Sequence, residues 1–500
     1  MKKTIILVLT LAVCPLAFAA DSGSGLQEKL GDRFGTQPTV VQPSIAPSVG
    51  LDTLHRWNQI AVNASGLDHT PVPAGDPRHF GEQLGPCRSA RAIALVHIGM
   101  FDVMNAIERS PYKGYTNLRT TLPASEDAAI AQVAHDMLVS LYPSQTASFD
   151  SLLAQDLARI RNGISKTSAI RLARKEARNI VTLRANDGVQ VPEPHVNVDY
   201  VTSNAAGHWR QDPISLIPLA LGAHWGECIP LVLLSGSQFR TPAPPDMTSA
   251  AYAAAYNEVK ALGGDGVNTP TQRTAEETFV AIYWGYDGTP SLCAPPRLYN
   301  QIAVHIADQQ GVTGIKLARL LALVNTAMSD AAVTAWESKY HWDFWRPITG
   351  IRESDPGTGP TGAGDGNPDT VGDTSFHPLG APASNLMGPN FTPPFPAYPS
   401  GHATIGGALF QTLRRFFGTD NIPFTFTSDE FNGQTRANDG TIRPLKPRSF
   451  TTLSQAEEEN GQSRIYLGIH WSFDKTEGIA SGRTVGDFVF DHAFTKNRRP

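Results

Sequence analysis

The sequence has no excess of positive charge: 41 Lys and Arg stand against 46 Asp and Glu in 500 residues, a formal charge of −5. Such a surface cannot neutralise a phosphate backbone, which excludes a general nucleic-acid binder. Cysteine is scarce, at 4 residues with no C-x-x-C spacing, so structural zinc and dithiol redox chemistry find no support. There is no G-x-x-x-x-G-K-[ST] phosphate loop, no H-E-x-x-H and no G-x-S-x-G. Beyond the N-terminus no segment is expected to span a bilayer, since the apolar stretch 215–234 carries His224 and Glu227. What is there is globular: 41% hydrophobic and 17% charged residues exclude disorder throughout and allow a large core in one or two domains. Gly and Pro number 44 and 38, which predicts long irregular connections.

The first residues read as an export signal: Lys2 and Lys3, an apolar run from Ile5 to Leu16, then the small-residue cleavage site Ala17-Phe18-Ala19. The run is short of the roughly 20 residues a span needs. Residues 1–19 are therefore expected to be a signal peptide, and the product exported, periplasmic or secreted. Cleavage removes two lysines and no acid, which takes the charge from −5 to −7. It leaves Cys87, Cys228 and Cys293. One disulfide in an oxidising compartment would leave one free thiol, and the sequence does not choose the pair.

Residues 20–50, rich in Gly, Ser and Pro, are expected to form a loosely ordered arm. After it the signal is helical. The expected fold is all-α, in two helical halves, 51–245 and 246–500, divided by the Pro-rich, aperiodic stretch 191–245. Ile130, Val133, Ala134, Met137, Leu138 and Leu141 recur at helical intervals behind a cap at Ser125, with Glu126 and Asp127 in the first turn. Further helical segments are expected at 149–160, 170–184, 250–262, 275–286, 296–310, 314–346, 400–417 and 454–491, with a short hairpin near 423–426. The Gly-, Pro- and Asp-crowded stretch 355–399 is too long for an idle connection and is expected to carry function. Its acidic part, 362–373, lacks the regular oxygen spacing of a calcium site and reads as a polar loop.

Three motifs carry the chemistry. In Lys339-Tyr-His-Trp-Asp-Phe-Trp-Arg346-Pro347 seven steps separate two cations, which on one continuous helix puts both on one face. Trp336, Phe344 and Trp345 around them predict burial, and buried cations need an anion. Pro399-Ser400-Gly401-His402 opens a helix: Ser400 suits the N-cap, and the glycine lets a ligand approach N–H groups at the positive end of the helix dipole. In the third, Ser463-Arg464 is followed by His470 and Asp474. An aspartate one turn after His470 would accept its Nδ1–H and leave Nε2 with a lone pair for an electrophile. Each has a plain structural explanation alone: a solvated basic face, an ordinary cap, a surface His–Asp pair. Together they supply three cations, a hydroxyl and a backbone N–H, suited to a multiply charged tetrahedral oxyanion.

In this order and spacing the motifs resemble the three-part signature shared by vanadium-dependent haloperoxidases and the related phosphatidic acid phosphatase type 2 and bacterial acid phosphatases. The resemblance implies an almost wholly helical fold whose C-terminal four-helix bundle holds one vanadate per chain. It implies that Lys339, Arg346 and Arg464 hold the equatorial oxygens with Ser400 and the Gly401 N–H. His470 would make the bond to vanadium, supported by Asp474, and His402 would be the acid–base residue opposite. Hydrogen peroxide and halide are the implied substrates, with an organic compound as halogen acceptor; members of the family are often oligomers.

The same residues would also hydrolyse phosphoesters, His470 attacking phosphorus and His402 protonating the leaving alcohol. Acid phosphatase is thus the alternative, and a noncatalytic oxyanion binder a third reading that lacks any missing acid, base or nucleophile to support it. The segment from Phe391 through Phe395 to His402 resembles that of fungal vanadium chloroperoxidases, as does Trp336. The stretch Tyr283 to Asp287 resembles one in haloperoxidases whose aspartate supports the site from behind. These favour oxidation of bromide and iodide, and of chloride too, because the position of Phe395 is typically Phe in chloroperoxidases and His in bromoperoxidases.

Overall fold

Caps and stops divide the chain into fourteen α-helices in the computed structural model, which describes residues 24–37 and 44–497. The expected signal peptide, 1–19, lies outside the described residues. The arm holds α1 (Ser24–Leu30), and the first half holds α2 (Thr53–Asp68), α3 (Gly85–Ile107), α4 (Glu126–Leu141), α5 (Thr146–Arg159) and α6 (Ile164–Leu183). The second holds α7 (Ala250–Leu262), α8 (Ala275–Tyr283), α9 (Pro295–Gln309), α10 (Gly314–Trp342), α11 (Pro347–Glu353), α12 (Gly401–Phe417), α13 (Leu453–Tyr466) and α14 (Ser472–His492). Among these residues the only sheets are two antiparallel ribbons: β1 (Gly35–Thr36) with β2 (Leu386–Met387), and β3 (Phe424–Phe426) with β4 (Arg448–Phe450). The all-α expectation holds, and local chemistry explains several starts. Ser125 Oγ accepts the Ala128 N–H at 3.3 Å to open α4, and Thr274 with Glu277 forms a reciprocal capping box on α8.

Several boundaries differ from the sequence reading. The helix expected over 314–346 ends at Trp342, where Asp343 turns left-handed at φ 48° and its N–H closes on the Lys339 carbonyl. Arg346 is extended, at ψ 156°, and Pro347 starts α11. A residue before proline avoids the helical region, and proline itself suits the first helical position. Lys339 and Arg346 therefore do not share a helix face. The segment 454–491 is two helices, broken at Gly468, whose φ is 73° and whose Cβ, were there one, would lie 2.5 Å from the Gly263 carbonyl. Helix α8 stops at Tyr283, and the strand at 424–426 pairs with 448–450 instead of turning straight back.

Residues 24–37 of the arm are docked, not loose, while 44–50 are largely exposed. Leu26 and Phe34 are 4% and 2% exposed, Phe34 meets Phe391 edge-on at 5.8 Å, and β1 pairs with β2. Two apolar anchors suffice here, and average composition hides them. The apolar 23-residue helix α3 is long enough to cross a membrane, contrary to expectation, but 89% of its apolar window is buried in protein. It packs on α4 and α10 as a core helix. Cys87, Cys228 and Cys293 are all buried and unpaired.

One continuous apolar core runs from Leu54 in α2 to Phe494 beyond α14, so the two halves share it. Within the C-terminal bundle of α10, α12, α13 and α14, the tightest seam joins α12 to α14. Gly478, Gly482 and Gly486 line it. A Cβ on Gly482 would lie 2.0 Å from the Thr404 carbonyl, and one on Gly478 would lie 2.9 Å from Ala403 Cβ. The seam runs the helices parallel and brings their N-termini together, where the Ser400 N–H donates to the Asp474 carbonyl at 3.0 Å.

Candidate active site

Three cations from three elements meet beside these paired N-termini. Lys339, in the last turn of α10, is fully buried and donates from Nζ to the carbonyls of Pro396 and Ala397 at 2.9 Å and of Pro399 at 2.5 Å. Arg346, ahead of α11, donates from Nε to Phe395 O and from Nη1 to Ile469 O, each at 2.9 Å. Arg464, near the end of α13, donates from Nη2 to Asp287 Oδ1 at 2.5 Å. The Phe395 ring lies between the first two, 5.1 Å from Lys339 Nζ and 5.0 Å from Arg346 Cζ, and 4.8 Å from the Trp336 ring. Long-range packing thus delivers the pair that helical spacing would not.

The two histidines are held in opposite senses. His470 sits in the break before α14; its Nδ1–H donates to Asp474 Oδ2 at 2.7 Å, and its Nε2 accepts from Arg346 Nη1 at 2.9 Å. The Asp474 contact arises at the start of α14, where the same oxygen also accepts the Trp471 N–H at 3.1 Å, and not from one helical turn as expected. His402, in the first turn of α12, donates from Nε2 to Gly285 O at 2.7 Å, which leaves the lone pair on Nδ1. Ser400 is the N-cap, its Oγ 3.4 Å from Ala403 N. A Cβ on Gly401 would meet the Trp336 ring at 3.1 Å. Every site residue singled out from sequence therefore belongs to one cluster: Lys339, Arg346, Ser400, Gly401, His402, Arg464, His470, Asp474, Asp287, Trp336 and Phe395.

The cluster is electrostatically incomplete. Arg346 and Arg464 are each 1% exposed, yet among the described residues Arg346 Nη2 and Arg464 Nε and Nη1 have no partner. Among the described residues only Asp287 and Asp474 answer three cations. Burial holds Lys339 well below the usual lysine range, with Arg346 adding to the effect, and pulls Arg346 down to about 9. Burial and then the neighbouring cations keep both imidazoles neutral, Arg346 acting foremost on His470 and Arg464 on His402. Burial pushes Asp474 up to about 7 against the pull of Lys339, and raises Asp287 against the pull of Arg464. Buried guanidinium donors without acceptors are costly, and an oxyanion with several lone pairs is the group that would satisfy them.

A cleft of about 730 Å³, open solvent included, leads to Gly401, His402, Arg464 and His470. Its walls are largely apolar, among them Leu84, Ile217, Leu221, Phe391 and Pro394, and Leu30 of α1 adds to them. Sequence reasoning missed this contribution of the arm and the first half. The stretch 191–245, read as a divide, braces the site: Leu221 O accepts the Trp336 Nε1–H and the Tyr340 hydroxyl, both at 2.9 Å. Gly222 is so close to Trp336 that a Cβ would lie 2.2 Å from the indole. Tyr299 and Asn460 donate to the His402 carbonyl at 3.1 and 2.9 Å. No local pattern announces these residues.

Residues 319–498 match the family described as the VCPO second helical-bundle domain. Vanadium chloroperoxidase of Curvularia inaequalis is 30% identical over 503 positions, covering 84% of this chain and 78% of its own length. The chain belongs to the vanadium haloperoxidase family. A bacterial vanadium-dependent iodoperoxidase superposes with a TM-score of 0.68, covering 91% of this chain and all of that one, at 21% identity. The holo form of a bacterial vanadium-dependent chloroperoxidase gives 0.60, covering 85% and 96%, at 18% identity. At those identities the likeness shows the fold. The haloperoxidase fold includes the first half as well as the bundle, since a match over 91% of the chain cannot be confined to the C-terminal half.

Proposed function

We propose that this protein is a vanadate-dependent haloperoxidase that uses hydrogen peroxide to oxidise bromide, iodide and chloride to a halogenating species at the level of hypohalous acid. The observation that carries the reading is the buried cradle with three unpartnered guanidinium N–H donors beside two histidines fixed in complementary tautomers. Bound vanadate would supply a Lewis acid that activates peroxide toward halide without a change in its own oxidation state.

The residues present fit that group, one per chain. Arg346, Arg464 and Lys339 supply the charge; Ser400 Oγ and the Gly401 N–H supply neutral donors at the head of α12. His470 would bind vanadium through the Nε2 lone pair that now accepts from Arg346, and Asp474 keeps that lone pair available by holding the proton on Nδ1. His402, its Nε2–H committed to Gly285, would take a proton from substrate peroxide at Nδ1. Lys339 would turn one of the three N–H groups it now gives to Pro396, Ala397 and Pro399 toward peroxide oxygen and draw negative charge off it. The Phe395 and Trp336 rings exclude water around its ammonium, which strengthens that pull. An apolar ring at 395 supports chloride as a substrate, the halide hardest to oxidise of the three. Kinship with haloperoxidases supports halide oxidation over phosphoester hydrolysis, and the N-terminal signal pattern supports export.

The test is halide oxidation by metal-stripped protein with and without orthovanadate, using monochlorodimedone as acceptor. Activity is expected only with orthovanadate and is expected to fall as phosphate competes for the same cradle. Full activity after exhaustive removal of vanadium would sink the proposal, and phosphatase turnover without halide oxidation would favour the alternative.

A further inference from the structure

The turn after α8 does two jobs at once. Gly285 O accepts the His402 Nε2–H at 2.7 Å, and two residues later Asp287 Oδ1 accepts from Arg464 Nη2 at 2.5 Å. A shift of this turn would move the acid–base histidine and one of the three cations together. Its local backbone bonds, from the Gly285 N–H to Ile282 O and from the Gly288 N–H to Cys293 O, each at 2.9 Å, leave Tyr286 between them without one. Tyr286 stands at φ 56°, in the left-handed region, which a tyrosine occupies only where its surroundings impose it.

The restraint comes from behind. Glu430 is fully buried against the turn: its Oε1 accepts the Tyr286 N–H at 3.2 Å, and a Cβ on Gly285 would lie 2.4 Å from the same oxygen. Its Oε2 is held by the Ser384 hydroxyl at 2.7 Å and by Arg443 Nη1, which also donates to Ser384 Oγ at 2.8 Å. The flanking residues add two ties. Ser428 Oγ donates to Tyr283 O at 2.7 Å, and the Asp429 N–H donates to the Tyr286 hydroxyl at 2.7 Å. A buried carboxylate needs a cation, and Arg443, 8% exposed, provides it.

We propose that Glu430, fixed by Arg443 and Ser384, is a positioning residue that locks the turn from Gly285 to Asp287 and thereby sets the His402 ring and the Arg464 guanidinium for the oxyanion. This rests on reading the cradle as the vanadate site, and it brings in residues that none of the three motifs contains. Glu430 touches neither the oxyanion cradle's histidines nor its cations; it acts through the backbone of the turn.

The experiment compares wild type with Glu430→Ala, Glu430→Gln and the double variant Glu430→Gln/Arg443→Met. Readouts are the orthovanadate dissociation constant of metal-stripped protein by calorimetry, the 15N imidazole signals of His402, and the thermal midpoint. The signals are assigned by their loss in His402→Gln. Glu430→Ala is expected to melt cooperatively, to bind orthovanadate at least about tenfold more weakly, and to lose the Nε2–H signature of His402 toward a tautomeric average. Glu430→Gln keeps an acceptor for Tyr286 but strands the Arg443 charge, so at least about a threefold loss is expected; the double variant, with no stranded charge, should recover it. Wild-type affinity and an unchanged His402 spectrum in Glu430→Ala overturn the proposal. Should that variant fail to fold, the same two results in Glu430→Gln overturn it. A wild type that binds orthovanadate but oxidises no halide would overturn the functional reading alone, because the binding and spectral comparisons do not depend on turnover.

Discussion

Replacing Asp474 with alanine separates orientation of His470 from simple charge attraction. Asp474 Oδ2 accepts the His470 Nδ1–H at 2.7 Å and the Trp471 N–H at 3.1 Å, so the variant loses both the tautomer lock and a cap on α14. Removing such a support behind a metal-binding histidine typically costs about 10–100-fold in affinity, or about 1.4–2.7 kcal/mol. A second effect opposes it, because the carboxylate repels any oxyanion nearby. Burial, which pushes Asp474 up to about 7, favours its neutral form and so weakens that repulsion. For vanadate, which would need the Nε2 lone pair, loss of orientation should win. Phosphate, held by the cations and the donors at the head of α12 without that lone pair, should bind Asp474→Ala as well as wild type or more tightly. The ratio of vanadate to phosphate affinity should therefore fall about 10–100-fold. Asp474→Asn keeps an oxygen for the Nδ1–H and should hold the ratio within about threefold of wild type. Titration calorimetry with orthovanadate and with phosphate measures it, with a melt to establish folding. If both affinities in Asp474→Ala fall together, or the ratio stays put, the reasoning about His470 is wrong.

His470→Ala and His402→Ala should fail differently: the first should weaken orthovanadate steeply, and the second should leave binding largely intact while cutting turnover by about 10²–10⁴-fold. Equal orthovanadate dissociation constants for wild type and His470→Ala would contradict the assignment. Phe395→His replaces the ring packed between Lys339 and Arg346, 5.1 and 5.0 Å away, with a polar one, and should lower chlorination relative to bromination by at least about tenfold. Monochlorodimedone assays with each halide decide it, and an unchanged ratio would return Phe395 to a packing role. Away from the site, burial and then the adjacent Glu176 carboxylate hold Asp102 well above the usual carboxylate range. The folded state therefore keeps a proton that the unfolded chain releases, and stability should decline as pH rises above about 4, the unfolded value, toward the folded one. Glu176→Gln should flatten that decline, and melts between about pH 5 and pH 9 check it; a wild-type midpoint independent of pH over that range would refute the sign.

The sequence by itself determined what depends on near neighbours. Apolar recurrence and capping residues placed α4 behind Ser125, α7 over Ala250–Leu262 and α12 behind Ser400, because a cap and its N–H partner lie three residues apart. The pairing of His470 with Asp474, four residues on, was legible for the same reason, although the geometry that makes it differs. The supply of cations, histidines and a helix-opening glycine was legible from the order of the motifs. Tertiary structure alone decided how they meet. Lys339 and Arg346 were expected on one helix face; α10 ends between them, and each is aimed by the last residues of the long stretch 355–399, at Pro396 for Lys339, 57 residues away, and at Phe395 for Arg346, 49 away. His402 takes its tautomer from a carbonyl 117 residues earlier, and Glu430 holds the turn that carries it from 144 residues later. The docked arm and the Leu221 brace are of the same kind. Capping and helical periodicity act within a turn of chain and leave a spacing in the sequence. A hydrogen bond across such separations is specified only by how whole helices pack, through seams such as Gly478, Gly482 and Gly486, and packing of that range leaves no period to read.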